Sequence, residues 1–209
     1  MNGTHIELDR LPLRIVQAIV LLLIVVKLAQ LTFTGVFMDE SYYWMWGQHP
    51  AWSYYDHPPL NAWLLWLSST LFGWNVFALR LPVALSFFAN IFAIYLIARR
   101  LCGDEWRGYF WLTLLLFLVT PIYWLVSSLA LPDYMLQTCS LFAMAFFIGF
   151  FVDRAKGEPG RDRDLYLGAL FLGFAGLAKY NAAILAAALI FYILVSHRGL
   201  LRQPRLYLA

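Results

Sequence analysis

Long apolar runs alternate with short polar ones along most of the chain. A bilayer span needs roughly 20 consecutive apolar residues. Runs near that length lie at about 13–36, 81–99, 108–130 and 133–152, and two shorter ones follow at about 164–178 and 181–196. Pro121 inside the third run predicts a kink, because proline lacks an N–H and clashes with the preceding turn. The stretch 59–72, "PLNAWLLWLSSTLF", is too short to span. It reads as an amphipathic helix at the interface, with Trp63 and Trp66 at headgroup depth. The pattern predicts an all-α polytopic membrane protein. It has about six transmembrane helices in a single domain over 1–209, and a first external loop over 37–80 that carries interfacial helices.

Charge orients the spans. Lys and Arg accumulate on the cytoplasmic side of membrane proteins. Arg10 and Arg14 stand at the start of the first span, and Arg99, Arg100 and Arg107 lie between the second and third. Arg154, Lys156, Arg161 and Arg163 lie between the fourth and fifth, and Arg198, Arg202 and Arg205 follow the sixth. With alternating spans these twelve fall on one face, the expected cytoplasmic one. The loop "DRAKGEPGRDRD" at 153–164 is then a solvated cytoplasmic loop. The opposite face collects Asp39, Glu40, His49, Asp56, His57, Arg80, Asp133 and Lys179. Lys27 falls inside the first span, where the simplest reading is a side chain that snorkels to the surface.

Composition sharpens this picture. The 209 residues are 62% hydrophobic and 13% charged, with mean hydropathy +0.68. A soluble domain is about half apolar and a quarter charged, so this surplus calls for a lipid environment. The net charge of +3 is small and scattered, which argues against nucleic acid. Cys102 and Cys139 form no disulfide framework and read as packing residues. The N-terminal apolar run is too long for a cleavable signal, and no small-residue cleavage site follows it.

The segment "MDESYYWMWGQHPAWSYYDHPPL" at 38–60 holds three carboxylates, two His, three Trp and four Tyr, and no Lys or Arg. Asp39 has two readings: a helix N-cap for "SYYWMW", or a general base partly desolvated by aromatic rings. In "DHPPL", Pro58 and Pro59 fix the backbone and suit a helix start. They hold Asp56 and His57 at the membrane surface. Asp56, His57 and His49 are competent metal ligands, although their spacing matches no compact zinc motif. Asp133 follows Pro132 and also reads as an N-cap. Lys179, at the end of an apolar segment, reads either as a phosphate-holding cation or as a snorkelling one. The aromatics Tyr42, Tyr43, Trp44, Trp46, Trp52, Tyr54 and Tyr55 suit an interfacial belt. They equally suit a sugar whose C–H face stacks on rings.

Together, the acidic pair after the first span, the D-x-P-P motif opening an interfacial helix, and "PD" at the start of the fourth span resemble the GT-C membrane glycosyltransferases. The resemblance is to the family-39-like bacterial branch, with its lipid A aminoarabinose and galacturonosyltransferases, and more distantly to the protein O-mannosyltransferases. It implies transfer of a sugar from a polyprenyl-phosphate donor to a lipid, glycan or protein acceptor. The active face would be periplasmic, in a bacterial inner membrane, with no nucleotide. It implies Asp39 as the base, Glu40 as its partner and Asp133 as a second acid. Asp56, with His49, would serve a divalent-metal site found in some members. His57 takes a position that is Lys in the aminoarabinose transferases, where it meets phosphate. Lys179 and Arg80 would hold the lipid phosphate, with Tyr43, Trp46 and Tyr55 around the sugar. Members are commonly more than twice as long, so the chain reads as an N-terminal portion or a minimal homologue. The competing reading is a non-catalytic lipid-binding or transport protein. Transport would place its ionisable residues near the midplane on broken helices.

Overall fold

The computed structural model describes residues 10–158 and 160–208, and every regular element among them is helical. The helices are α1 (Arg10–Phe33), α2 (Met38–Gln48), α3 (Leu60–Phe72), α4 (Val76–Leu101), α5 (Trp106–Val119), α6 (Pro121–Val126), α7 (Pro132–Ala155), α8 (Asp162–Ala178), α9 (Ala182–Ser196) and α10 (Pro204–Tyr207). Short 3-10 turns at Gly103–Glu105 and Arg198–Arg202 join α4 to α5 and α9 to α10. α1, α4 and α7 contain 24, 26 and 24 residues and are long and apolar enough to cross a membrane. At about 1.5 Å per residue, each exceeds the roughly 30 Å hydrocarbon core.

The remaining expected spans differ. The run at 108–130 is broken rather than kinked. α5 stops at Val119, Thr120 takes an extended conformation (ψ 116°), and Pro121 opens α6. Proline disfavours helical geometry in the residue before it yet suits a first helical turn. α8 and α9 have 17 and 15 residues, shorter than a full span. α4 begins at Val76, ahead of the expected 81, because the Asn75 side chain caps it by accepting the Ala78 N–H at 3.0 Å. Pro82 inside α4 cannot donate to the Ala78 carbonyl, and the Ser68 hydroxyl of α3 donates to that carbonyl at 2.7 Å instead.

α4 packs against α1 and α5 and also against α7, while α7 packs most extensively on α8. The α7–α8 contact depends on glycine. A Cβ on Gly168 would lie 2.7 Å from the Phe147 ring, and one on Gly149 would lie 2.5 Å from the Arg100 guanidinium. At that end Arg100 pairs with Asp164 at 3.3 Å and Arg161 with Asp153 at 2.9 Å. Polar side chains turn inward between helices: Asn90 of α4, fully buried, donates to Gln137 of α7 at 3.3 Å. Leu21, Leu22 and Val25 of α1 and Leu85 and Phe92 of α4 face outward and are more than half exposed. Apolar outside with polar glue inside is what a lipid-embedded bundle requires.

Lys27 does not snorkel. It is fully buried, donates to the Trp124 carbonyl and the Ser128 hydroxyl, and lies 4.5 Å from the Trp124 ring centroid. α6 ends after six residues and leaves carbonyls without helical partners. In lipid such groups must be satisfied by protein. Lys27 meets this need, a role that a one-dimensional pattern does not reveal.

Candidate functional site

The site end of the bundle gathers the end of α1, α2, α3, the start of α4, the 127–131 turn, the start of α7 and the α8–α9 turn. Its foundation is a buried ion pair. Glu40 is fully buried and Arg80 is 5% exposed. Arg80 grips Glu40 with two nitrogens, Nη1 to Oε1 at 2.6 Å and Nη2 to Oε2 at 2.8 Å. Glu40 also accepts the Phe37 N–H at 2.9 Å and the Ala130 N–H at 2.8 Å. Arg80 in turn donates to the Ser128 carbonyl and to the Gly35 carbonyl, the latter at 3.1 Å. One carboxylate thus ties the start of α2 to α4 and to the turn before α7. Bidentate charge-assisted bonds of this kind fix geometry tightly. The two charges are spent on each other and on the Phe37, Ala130, Ser128 and Gly35 backbone groups.

Asp39 is the next residue, about 100° around the same helix. It is exposed, and among the described residues it has no hydrogen-bond or ion-pair partner. The N-cap of α2 is Phe37, and the N3 carboxylate of Glu40 reaches back to its N–H. The N-cap reading of Asp39 therefore fails, because Glu40 already fills that role. The N-cap reading of Asp133 fails similarly. Leu131 caps α7, and Asp133 instead pairs with Lys179 at 2.8 Å. That pair joins the start of α7 to the α8–α9 turn.

α2 turns its aromatics toward the 49–58 loop. The Trp46 and Tyr54 rings stack at 4.7 Å with 4° between planes. The Tyr54 hydroxyl donates to the His49 carbonyl at 2.9 Å and accepts the Ala51 N–H at 3.0 Å. Trp63 donates its indole N–H to the Ala51 carbonyl at 2.8 Å. The Tyr42 hydroxyl donates to Asp56 at 2.8 Å, and this bond, with the Asp56 charge, raises the Tyr42 pKa. Tyr43 lies between Trp46, at 5.0 Å, and His57, at 5.7 Å. Its pKa is raised first by burial and then by the charges of Asp56, Asp133 and Asp39. His57 is held below the usual histidine value by burial and by Lys179, against the opposing pull of Asp133 and Asp56. Its Nδ1 is buried without a partner. Tyr43 thus feels the charges of Asp39, Asp56 and Asp133, and His57 those of Asp56, Asp133 and Lys179, from four separate segments. Tyr55 is 97% exposed, and the His49 side chain is exposed as well.

The donor set does not fit a metal ion. Among the described residues no three His, Cys, Asp or Glu side chains gather into a ligand group. Asp56 spends one oxygen on Tyr42. The Glu40–Arg80 clasp and the Lys27–Ser128 contact carried no local signal in the sequence. Their partners lie 40 and 101 positions apart.

Comparison with known proteins decides the family. Residues 56–209 match the model of the dolichyl-phosphate-mannose-protein mannosyltransferase family. The chain belongs to this family. The match opens at Asp56, so Asp39 and Glu40 precede it. The lipid A galacturonosyltransferase RgtD of Rhizobium johnstonii is 30% identical over 151 residues, 70% of this chain and 29% of that protein. The chain spans less than a third of the length of that curated relative. No solved structure matches it. Membership fits the helices found here: an all-α integral membrane protein of the GT-C glycosyltransferase type.

Proposed function

We propose that the chain forms the acceptor-activating part of a glycosyltransferase. The enzyme would transfer a sugar from a polyprenyl-phosphate donor to a hydroxyl of a lipid, glycan or protein on the periplasmic face of a bacterial inner membrane. The observation that carries this reading is the set around Tyr43 and His57. It contains an exposed carboxylate (Asp39) with no partner among the described residues, and a cation (Lys179) whose one partner among them is Asp133. A base and an anion-holding group are what a single displacement needs.

In that reaction the acceptor oxygen attacks the anomeric carbon while Asp39 takes its proton. The bond from the anomeric carbon to the phosphate oxygen breaks, and polyprenyl phosphate leaves with the electron pair. The anomeric centre inverts once. Lys179 turns from Asp133 toward the departing phosphate. His57 stands beside it and donates from whichever ring nitrogen carries the proton. Glu40 and Arg80 act as positioning residues that hold α2 and thereby Asp39. Rings of Tyr43 and Trp46 offer faces to the sugar. An apolar groove of about 430 Å³ between α3, α4, α7 and α8, lined by Leu64, Leu71, Leu85, Met135 and Phe142, offers a path for the prenyl chain. The alternative of a transporter is disfavoured by depth. Asp39, Asp133 and Lys179 sit at helix ends and Asp56 in the α2–α3 loop, not within a broken spanning helix.

The test is mass spectrometry of lipids that co-purify with the full-length protein. A polyprenyl-phosphate-linked sugar is the expected companion. Co-purification of ordinary phospholipids alone, together with no transfer from any added polyprenyl-phosphate sugar, would remove the reading.

A further inference from the structure

The chain between α6 and α7 is a short turn, and four buried side chains from four helices close on two of its residues. Lys27 of α1 donates to the Ser128 hydroxyl, and Arg80 of α4 donates to the Ser128 carbonyl. Glu40 of α2 accepts the Ala130 N–H at 2.8 Å, and Asn61 of α3 donates to the Ala130 carbonyl at 3.3 Å. None of the four side chains is more than 5% exposed. α7 opens two residues later with Pro132, and Asp133 follows and meets Lys179 at 2.8 Å. Asp39 is the residue before Glu40. The turn is therefore joined by direct bonds to the segments that carry both acids.

Arg80, Glu40 and Asn61 each satisfy a backbone group of the turn that lipid could not satisfy. Lys27 differs. Its contact in the turn is with a side chain, and the Trp124 carbonyl that it also reaches accepts the Ser128 hydroxyl at 2.6 Å as well. Removing the amine would strand neither group. Lys27 is also the costly member of the four. It lies six residues, about 9 Å, from the end of α1, and among the described residues no carboxylate pairs with it. Burying such a group costs stability, and an ionisable side chain kept inside a span points to function. What Lys27 supplies is an anchor of the turn on α1, where Gln30 comes no closer to the Ser128 hydroxyl than 3.5 Å.

We propose that Lys27 is a positioning residue of the transfer reaction. By holding Ser128 against α1 it sets where the turn delivers Asp133 and, through Arg80 and Glu40, where α2 presents Asp39. This role rests on the functions given to those two acids above. Lys27 itself touches no substrate. With Met in its place the Arg80, Glu40 and Asn61 contacts still close the turn, but its bond to α1 is gone. A misplacement of reacting groups by about 1 Å costs on the order of 100-fold in rate. Donor binding is affected less, because the apolar groove offered to the prenyl chain includes no residue of the turn.

Lys27→Met in the full-length protein tests this. Three quantities are measured: transfer from the polyprenyl-phosphate sugar that the unaltered protein uses, affinity for undecaprenyl phosphate, and thermal midpoint in detergent. Turnover should fall about tenfold or more, with the affinity nearly unchanged and the midpoint held or raised. Val25→Met, on the exposed face of α1, should change none of the three. Near-normal turnover in Lys27→Met overturns the proposal. A lowered midpoint or a failure to fold overturns it too, since Lys27 would then serve stability. So does a loss of undecaprenyl phosphate affinity as large as the loss of turnover, which would assign Lys27 to binding. An unaltered protein that transfers no sugar would instead remove the glycosyltransferase reading, and the role of Lys27 with it.

Discussion

Asp39 and Glu40 are neighbours in sequence and opposites in environment. A step of about 100° around α2 sends Glu40 into a fully buried bidentate pair and leaves Asp39 exposed and unpartnered among the described residues. Removing one member of a buried ion pair strands the other and costs about 3–5 kcal/mol. Glu40→Gln should therefore lower stability by about that amount, read as a reduced thermal midpoint in detergent. A midpoint unchanged from wild type would show that the clasp is not what holds α2. Both acids were legible in the sequence as a pair after the first span. Their division of labour was not, because the Arg80 that selects Glu40 lies 40 positions away. Arg80 itself was expected as a phosphate-binding cation. Its terminal nitrogens are committed to Glu40 and to the Ser128 and Gly35 carbonyls, and nothing in local spacing foretells that.

At the scale of elements, helix identity follows from apolar runs and helix ends follow from proline and asparagine. Pro121 separates α5 from α6, Asn75 starts α4 early, and Pro82 is tolerated because Ser68 serves the carbonyl it frees. The sequence showed Pro121 but not whether it would kink or break the run, since that depends on which neighbours satisfy the freed carbonyls. Here the run breaks, and the Trp124 carbonyl at the end of the short α6 is met by Lys27 from α1. Packing between elements was less legible still. α7 and α8 approach closely at Gly168, where a Cβ would fall 2.7 Å from the ring of Phe147, itself only 5% exposed. The ring must shift to admit a Cβ there. Gly168→Leu should overpack the contact and destabilise the bundle by about 1–3 kcal/mol. Gly173→Leu on the same helix, where a Cβ meets nothing within 4 Å, should be far milder. Equal midpoints for the two variants would mean the helices separate without cost.

For the whole molecule, the Asp133–Lys179 and Glu40–Arg80 pairs stand at one end, and the Arg-rich turns at the other. The positive-inside bias predicts that the Arg-rich end faces the cytoplasm. Gln48→Cys and Glu158→Cys, each in a background without Cys102 and Cys139, should label from opposite sides of the membrane with an impermeant thiol reagent. Labelling from the same side would undo the orientation. The family was legible from three short motifs and the run of apolar segments, and the match over 56–209 agrees with it. The role of each acid within the site is the part that chemistry must decide. The most direct measurement is sugar transfer by the full-length protein carrying Asp39→Asn, with donor binding measured alongside. Asn keeps size and hydrogen bonding but cannot take a proton, and Asp39 makes no cap for the change to disturb. Turnover should fall about 100-fold or more, the usual share of general-base catalysis, with donor affinity and thermal midpoint nearly unchanged. Near-normal transfer by Asp39→Asn would contradict the assignment of Asp39 as the base.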